Sequence, residues 1–275
     1  MNSKHLIIQN KPTKNKIMNL YRLSELFDRN INNSINFVIL PECFNSPYGV
    51  NYFIEYAEEL NINDKNPTVK FLYDYSIRYP KIYFVAGSIP EKKNDKYFNT
   101  CTVWKNGEII TIYIKIHLFD VDIPDQVCFK ESKTVSAGDK PVYFDTEFGR
   151  IGLGICFDLR FNNLSNYYAE NKCDIIIYPG NFTTYTGKLH WELLLRTRAV
   201  DSQCWVIGCS SATNHDLEYH SYGHSMVVEP WGKVVSPEIN DQENVFVCEI
   251  HPELAKSFRR SIPIQNNKVN FCKNF

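Results

Sequence analysis

Short apolar runs rich in β-branched residues recur along the chain, and each predicts a β-strand. The runs cover residues 5–9, 36–41, 82–89, 99–104, 109–118, 150–156, 174–179, 204–210, 223–228 and 244–250. Between several of them, apolar residues return at helical spacing. The helices predicted in this way cover residues 14–33, 65–79, 162–172, 188–201 and 252–260. One face of the first predicted helix carries Ile17, Leu20, Ser24, Phe27 and Ile31.

Predicted strands and helices alternate from end to end, and no Gly/Ser/Pro-rich linker or low-complexity block separates them. This alternation predicts one α/β domain over residues 1–275, with a mixed rather than a purely parallel sheet. The dipeptide Asn106-Gly107, between two strand-like runs, predicts a hairpin turn. The polar segment from about residue 263 is expected to extend away from the core as a tail.

Composition and charge are those of an ordinary folded protein, with 44% hydrophobic and 22% charged residues. Basic and acidic side chains number 30 and 31 without long runs of one sign, so no nucleic-acid partner is expected. We find no signal peptide, presequence or apolar window of membrane-spanning length, so no membrane partner is expected either. The nine cysteines form no Cys-x-x-Cys pair, which favours reduced thiols and a cytoplasmic location.

The first candidate for chemistry is Cys156, in the run Arg150-Ile-Gly-Leu-Gly-Ile-Cys-Phe-Asp-Leu-Arg-Phe161. An apolar strand with two glycines leads directly into the cysteine, and polar residues follow at once. A thiol at the carboxyl end of a buried strand, beside the N–H groups of a turn, can act as a nucleophile. The alternative is that Cys156 is only a small buried core residue.

Two further charged residues lie at or within apolar strands. Glu42 closes the run 37–42 after a proline that restrains the preceding backbone; alternatively, it caps a helix or forms an ion pair. In residues 110–118 the aliphatic side chains from Ile110 to Leu118 share one face, and Lys115 lies on the opposite, polar face. The side chains of that polar face either take part in catalysis or are simply exposed to water. Glu131, considered alone, is a loop acid.

Taken together, these motifs resemble the nitrilase (carbon–nitrogen hydrolase) superfamily. The resemblance rests on Leu40-Pro-Glu-Cys-Phe-Asn-Ser-Pro-Tyr-Gly49, Lys115-Ile-His-Leu-Phe-Asp120, Glu131-Ser-Lys133 and Gly152-Leu-Gly-Ile-Cys-Phe-Asp-Leu-Arg-Phe161. The order Glu, Lys, Glu, Cys is that of the family, and the similarity continues through residues 178–182, 190–193, 196–201 and 222–232. Segments 42–49 and 118–139 are most similar to the omega-amidase branch.

The resemblance implies a four-layer α-β-β-α sandwich with mixed sheets and no metal or organic cofactor. It also implies a homodimer, which we expect to form through helices 162–172 and 188–201 and the apolar segment around Leu193–Leu195. The implied activity is hydrolysis of the terminal amide of a small 2-oxo dicarboxylate monoamide, such as 2-oxoglutaramate or 2-oxosuccinamate. The products would be the 2-oxo acid and ammonia, formed through a cysteine thioester.

By the same resemblance, each motif residue receives a catalytic role. Glu42 is the general base, Cys156 is the nucleophile, and Lys115 is the cation that orients the substrate and stabilises the oxyanion. Glu131 is the second acid, which positions Lys115 and the substrate. The backbone N–H of Phe157 is the second candidate donor to the oxyanion.

Arg160, four residues beyond Cys156, is expected in the substrate pocket, and the resemblance implies that Phe182 and Thr186 line the same pocket. Arg160 would hold the substrate carboxylate through its planar, permanently charged guanidinium. The alternative is that it pairs with Asp158 and braces the turn. The sequence departs from the family pattern at three positions that bear on pocket shape, namely Ile114, Asn181 and Lys188.

The sequence is also compatible with other functions. Residues 221–228 are similar to the branch that hydrolyses deaminated glutathione, and a nitrilase acting on a C≡N group ranks lower. A catalytically silent binding or scaffold protein on the same fold is the alternative from another class. A zinc site fails on ligand spacing; its candidate ligands would be Cys209, His215, His220 and His224.

Overall fold

The apolar runs form strands of two stacked sheets in the computed structural model, which describes residues 1–267. In chain order the strands are β1 (Ser3–Gln9), β2 (Phe37–Ile39), β3 (Tyr83–Val85), β4 (Ile89–Lys93), β5 (Lys96–Lys105), β6 (Glu108–Ile114), β7 (Asp120–Ile123), β8 (Val127–Lys130), β9 (Val142–Thr146), β10 (Gly149–Leu153), β11 (Ile175–Gly180), β12 (Trp205–Ser210), β13 (Met226–Val228) and β14 (Asn244–Ile250). The helices are α1 (Lys16–Asn30), α2 (Val50–Phe53), α3 (Pro67–Arg78), α4 (Asn162–Glu170), α5 (Thr184–Ser202) and α6 (Pro252–Ser261).

Both large sheets are mixed, as predicted. The first has the order β14-β1-β2-β3-β5-β4, with β6 paired to β5, and the second has the order β13-β12-β11-β10-β9. The central pairs β1–β2, β2–β3, β10–β11 and β11–β12 are parallel, whereas the outer strands pair antiparallel. Strands β7 and β8 form a separate antiparallel hairpin.

The layers follow from which strand faces are apolar. In β1, Ile7 packs in the cluster between the sheets, whereas Leu6 and Ile8 face the cluster formed with α1 and α3. On the second sheet, α4 and α5 contribute Leu164 and Trp191 to the core. Strands covered on both faces read as continuous apolar runs. The result is the predicted four-layer α-β-β-α sandwich.

The predicted run 82–89 is in fact two strands, β3 and β4. Gly87 separates them with a φ of 45°, a conformation that favours glycine. A Cβ at this position would lie 1.9 Å from the carbonyl oxygen of Pro41, so a larger residue has no space. The structure also contains β7, β8 and β9, which the apolar pattern did not predict.

In strand β6, the buried side chains lie on the face opposite the isoleucines. Strand β6 ends at Ile114, and Ile110 and Ile112 on its aliphatic face are 41% and 43% exposed. On the other face, Tyr113 and Lys115 are completely buried. The predicted face of α1 is wrong at one position, because Ile17 is 63% exposed while Leu23 faces the core.

The hairpin turn at Asn106-Gly107 is confirmed, because it joins β5 to β6. Both residues have positive φ, 50° and 78°, as a tight two-residue hairpin requires. The segment predicted to be a tail begins with a 3₁₀ turn over Ile264–Asn267, and the rest of it lies outside the described residues. None of the helices within residues 1–267 combines the length and apolarity needed to cross a membrane.

Candidate active site

Four chain segments that are distant in sequence bring their functional groups to one end of the sandwich. Glu42 follows β2, and Lys115 follows β6 directly. Glu131 opens a 3₁₀ turn after β8, and Cys156 opens another after β10. Cys156 is 3% exposed, and the three charged residues are completely buried, namely Glu42, Lys115 and Glu131. Strand ends therefore deliver an ammonium, two carboxylates and a thiol into the interior.

Lys115 lies between the two glutamates. Its Nζ is 2.8 Å from Glu42 Oε1 and 2.8 Å from Glu131 Oε2. Asn99 bridges the same acids, with Nδ2 donating to Glu42 Oε1 at 2.9 Å and to Glu131 Oε1 at 3.0 Å. The Phe119 N–H donates to Glu131 Oε2 at 2.6 Å. Both oxygens of Glu131 are thus occupied, whereas Glu42 Oε2 has no hydrogen-bond partner within the described part of the chain.

This environment sets the charge states of the cluster. Burial raises the pKa of Glu42 above its usual value, and the attraction of Lys115 only partly opposes the shift. For Lys115, burial would lower the pKa, but Glu131 and Glu42 outweigh it and raise the pKa well above its ordinary range. Lys115 therefore remains an ammonium ion, and Glu42 is a stronger base than an exposed carboxylate.

Cys156 has an unusual backbone conformation, with φ at 50°. Non-glycine residues seldom adopt this region, and the surrounding structure must hold them there. The Asn181 N–H donates to the Cys156 sulfur at 3.4 Å. Burial, followed by the charge of Glu42, raises the pKa of the thiol well above its ordinary value, against the influence of Lys115 and the Asn181 N–H. The resting thiol is therefore protonated.

Asp158 holds the turn that carries the thiol. Its Oδ2 accepts from the Ile155 N–H at 2.9 Å and from the Tyr113 hydroxyl at 2.7 Å. Its Oδ1 accepts from the His117 N–H at 2.9 Å and lies 2.7 Å from His117 Nδ1. Within residues 1–267 Asp158 forms no ion pair with Arg160, so this arginine does not brace the turn through that acid.

The expected pocket residues lie together. Arg160, Phe182 and Thr186 line one small cavity with Cys156 and Phe157. The Arg160 guanidinium lies 4.9 Å from the ring centroid of Phe182, and burial lowers its pKa.

The polar side chains of this pocket differ in how far they are already engaged. An Arg160 nitrogen lies 3.2 Å from His190 Nδ1, but within residues 1–267 no carboxylate pairs with the guanidinium. The Thr186 hydroxyl is 2.9 Å from that of Thr183, the residue that caps α5, so it already has a partner. Arg160 therefore offers the cavity an uncompensated positive charge.

Of the three departures from the family pattern, only Asn181 lines this cavity. Lys188 is exposed on α5 and borders a surface groove instead. Ile114 ends β6 and packs beside Gly138, where an added Cβ would lie 2.9 Å from the Ile114 Cβ. Ile114 and Lys188 therefore do not shape the pocket directly.

Several residues of the site were not predicted. Asn99 bridges the glutamates, and the Tyr48 hydroxyl lies 3.5 Å from Lys115 Nζ. The Tyr219 hydroxyl donates to the carbonyl oxygen of Asn181. A buried asparagine at the start of an otherwise apolar run was a usable signal for Asn99. No comparable sequence signal marks Tyr219, because only the fold brings its hydroxyl close to Asn181.

The β7–β8 hairpin covers the site with aromatic rings. Phe129 stacks on Tyr48 with centroids 5.3 Å apart, and Phe119 meets Phe157 edge-on at 5.3 Å. This cover keeps water from the charged cluster and strengthens its electrostatic interactions. In the described part of the chain, no three His, Cys, Asp or Glu side chains are grouped to hold a metal ion.

A four-layer sandwich with a buried Glu-Lys-Glu cluster beside a cysteine defines the nitrilase class of proteins. The sequence profile described as "Carbon-nitrogen hydrolase" matches residues 7–260. The chain therefore belongs to the carbon–nitrogen hydrolase family.

Named relatives agree with this assignment. The chain is 42% identical to omega-amidase NIT3 of Saccharomyces cerevisiae over 258 residues, which covers 92% of this chain and 88% of that protein. It is 43% identical to omega-amidase NIT2 of Homo sapiens over 232 residues, covering 84% and 82%. The crystal structure of Saccharomyces cerevisiae Nit3, a member of branch 10 of the nitrilase superfamily, matches with a TM-score of 0.86 and 38% identity, covering 96% of this chain and 95% of that one. The predicted superfamily and its omega-amidase branch are confirmed, as is the prediction of an enzyme.

Proposed function

We propose that the protein is an omega-amidase. It hydrolyses the terminal amide of a small 2-oxo dicarboxylate monoamide, such as 2-oxoglutaramate or 2-oxosuccinamate, to the 2-oxo acid and ammonia. The observation that carries the proposal is the buried Glu42–Lys115–Glu131 cluster beside Cys156, with Arg160, which has no carboxylate partner within residues 1–267, lining the cavity at the thiol. The omega-amidases at about 40% identity support it.

The first chemical step is attack by sulfur on the amide carbon. Because the Cys156 thiol is protonated at rest, Glu42 removes its proton through Oε2 as the C–S bond forms. The carbonyl electron pair moves onto oxygen, where Lys115 and the Phe157 N–H stabilise the negative charge. Removing one such donor typically raises the barrier by about 3 kcal/mol.

The second step releases ammonia. Protonated Glu42 gives its proton to the amide nitrogen, the C–N bond breaks, and a thioester on Cys156 remains. Glu42 then removes a proton from water, which attacks the thioester and releases the 2-oxo acid. The thiolate recovers a proton from Glu42. Glu131 does not exchange protons in this scheme; its two occupied oxygens hold Lys115 in place.

The pocket favours a short anionic substrate. The half-buried guanidinium of Arg160 has no carboxylate partner within residues 1–267, and a substrate carboxylate would supply one. The omega-amidases at about 40% identity favour a small dicarboxylate monoamide over deaminated glutathione. A silent scaffold is disfavoured because burying three charged groups without a catalytic use reduces stability.

Ammonia release from a panel of substrates tests the proposal. We expect the wild-type enzyme to act on 2-oxoglutaramate and 2-oxosuccinamate in preference to deaminated glutathione, neutral amides and nitriles. Cys156→Ala, which removes the nucleophile, is expected to release no ammonia above background. Preference for deaminated glutathione would assign the enzyme to that branch, and equal activity of Cys156→Ala would refute the thioester mechanism.

Arg160→Lys tests the carboxylate anchor. Lysine keeps the charge but loses the planar, bidentate geometry, so KM for acidic amides should rise by about tenfold or more. KM for neutral amides should change much less. Arg22→Lys, an exposed change on α1, is the matched control and should leave both unaffected. If KM rose equally for acidic and neutral amides, Arg160 would have a structural role and would not hold the substrate carboxylate.

We also propose a homodimer formed through α4 and α5. Leu189, Leu193 and Trp231 are 52%, 62% and 50% exposed and border one surface groove, which a twofold partner would cover. Leu195 cannot contribute to this contact, contrary to expectation, because it is completely buried in its own core.

Light scattering at micromolar concentration should give twice the chain mass of 32.1 kDa. Leu193→Glu places a charge in the proposed contact and should yield monomers. The matched control is Ile17→Glu, which is equally exposed but lies on α1 in the opposite helical layer, and it should remain dimeric. Monomeric wild-type protein, or dissociation by both variants, would contradict the proposed interface.

A further inference from the structure

The Asn181 side chain carries a buried acceptor that has no partner in the described part of the chain. The residue is 1% exposed, and within residues 1–267 its Oδ1 accepts no hydrogen bond. Buried amides in folded proteins are normally paired, because an unpaired one loses its bonds to water without replacement. Such a group at a ligand cavity indicates a bond that the ligand completes.

The backbone on both sides of this carboxamide is held in place. The Asn181 N–H donates to the Cys156 sulfur at 3.4 Å, and its carbonyl oxygen accepts from the Tyr219 hydroxyl. The preceding residue, Gly180, packs against Trp191, where an added Cβ would lie 2.8 Å from the ring, and it is in van der Waals range of the Cys156 Cα. The side chain therefore starts from a fixed point directly beside the nucleophile.

The same cavity holds the charged group that we assign to the substrate carboxylate. Asn181 and Arg160 line it together, and the guanidinium lies 4.9 Å from the ring of Phe182, the residue next to Asn181. We consider a substrate whose amide carbon reacts with Cys156 and whose carboxylate binds Arg160. The carbons between these two groups would lie close to Asn181. A carboxamide offers a donor and an acceptor in either orientation, so it can bond an oxo oxygen or a hydroxyl group.

We propose that Asn181 is a specificity-determining residue for a polar substituent on the carbon chain between the scissile amide and the carboxylate. This inference rests on the proposed function and deepens it. The preferred substrates are monoamides of dicarboxylic acids that carry an oxo or hydroxyl group, and unsubstituted monoamides are disfavoured. A site with a hydrogen-bonding group for one substituent discriminates strongly against analogues that lack it, because its own polar group is then left unpaired.

The test compares kcat/KM for 2-oxoglutaramate and for glutaramate, its analogue without the oxo group. In the wild-type enzyme the oxo substrate should be preferred. Asn181→Leu keeps the branched shape and the number of side-chain heavy atoms but removes the hydrogen bond, and it should lower kcat/KM for 2-oxoglutaramate by about 30-fold. Glutaramate never uses that bond, so any general effect of the variant falls on both substrates and the ratio of their kcat/KM values should fall by about 30-fold. The pair 2-oxosuccinamate and succinamate should behave in the same way.

Asn181→Ala removes the same hydrogen bond with a smaller side chain and is the second variant if leucine distorts the turn. It should also abolish the preference for 2-oxoglutaramate over glutaramate. Asn33→Leu is the matched control, because this asparagine is exposed in the turn after α1. Equal losses on the oxo and unsubstituted substrates, or an unchanged preference in both Asn181 variants, would overturn the inference while leaving the proposed function intact. Wild-type enzyme that releases ammonia from neither substrate would overturn the proposed function as well.

Discussion

Replacing Glu42 by glutamine is expected to lower kcat for ammonia release by about 10⁴-fold, the upper range for losing a general acid–base group. The change is nearly isosteric and keeps an acceptor for Lys115 and Asn99, so the fold should persist. What disappears is the proton exchange at Oε2, which the proposed mechanism uses in every step. Stopped assays of ammonia release, with thermal melting as the check on folding, measure both effects.

The matched control is Glu91→Gln. Glu91 is also a buried carboxylate, but it accepts from the Thr100 hydroxyl at 2.6 Å and takes no part in the charged cluster. Its replacement should preserve most of the activity. If Glu42→Gln retained more than about a tenth of the wild-type rate, Glu42 would not be the general base.

The pH profile of the wild-type enzyme follows from the same group. Glu42 works as a base only when ionised, and burial raises its pKa. Activity should therefore fall as the pH drops through that raised pKa, at a higher pH than an ordinary glutamate near 4.3 would give. Towards alkaline pH, Lys115 keeps its charge because its pKa is raised well above its ordinary value. The rate should accordingly form a plateau from neutral into moderately alkaline pH.

The fold was predictable where hydrophobic patterns are long. Strands buried on both faces, such as β1 and β11, appear as uninterrupted apolar runs, and α1 and α3 show helical periodicity. Strand β6 shows the limit of this reasoning. Its isoleucines are the exposed side chains because the opposite face turns Tyr113 and Lys115 into the interior. Alternation identifies the two faces of a strand, but only tertiary packing decides which one is buried.

The candidate site was predictable where a charge or thiol ends an apolar run, as at Glu42 and Cys156. The groups that hold these residues were harder to find. Asn99 and Asp158 act through hydrogen bonds to segments more than 30 residues away, and such contacts leave no local pattern. Glu131 was recognised only by resemblance, because its short turn follows a hairpin that has no long apolar run.

Replacing Lys115 by methionine is expected to impair both stability and catalysis. Without the ammonium, Glu42 and Glu131 are two buried carboxylates with no counter-charge, and breaking such a buried pair costs about 3–5 kcal/mol. Loss of an oxyanion donor should also lower kcat by about 10²–10³-fold. Lys70→Met is the control: its pair with Asp74 is exposed at 46% and 52%, so little change is expected.

The stability loss in Lys115→Met should depend on pH. Glu42 would lose the attraction of Lys115 that opposes the effect of burial on its pKa, so this pKa would rise further and the folded state would bind a proton more tightly. Acid therefore favours the folded variant, and the melting temperature should lie further below wild type at about pH 7.5 than at about pH 5. The double variant Lys115→Met/Glu131→Gln removes one of the two charges and should recover part of the stability without recovering activity. A stability loss that is the same at both pH values and unrelieved by Glu131→Gln would mean that Lys115 supports the fold by its volume rather than by its charge.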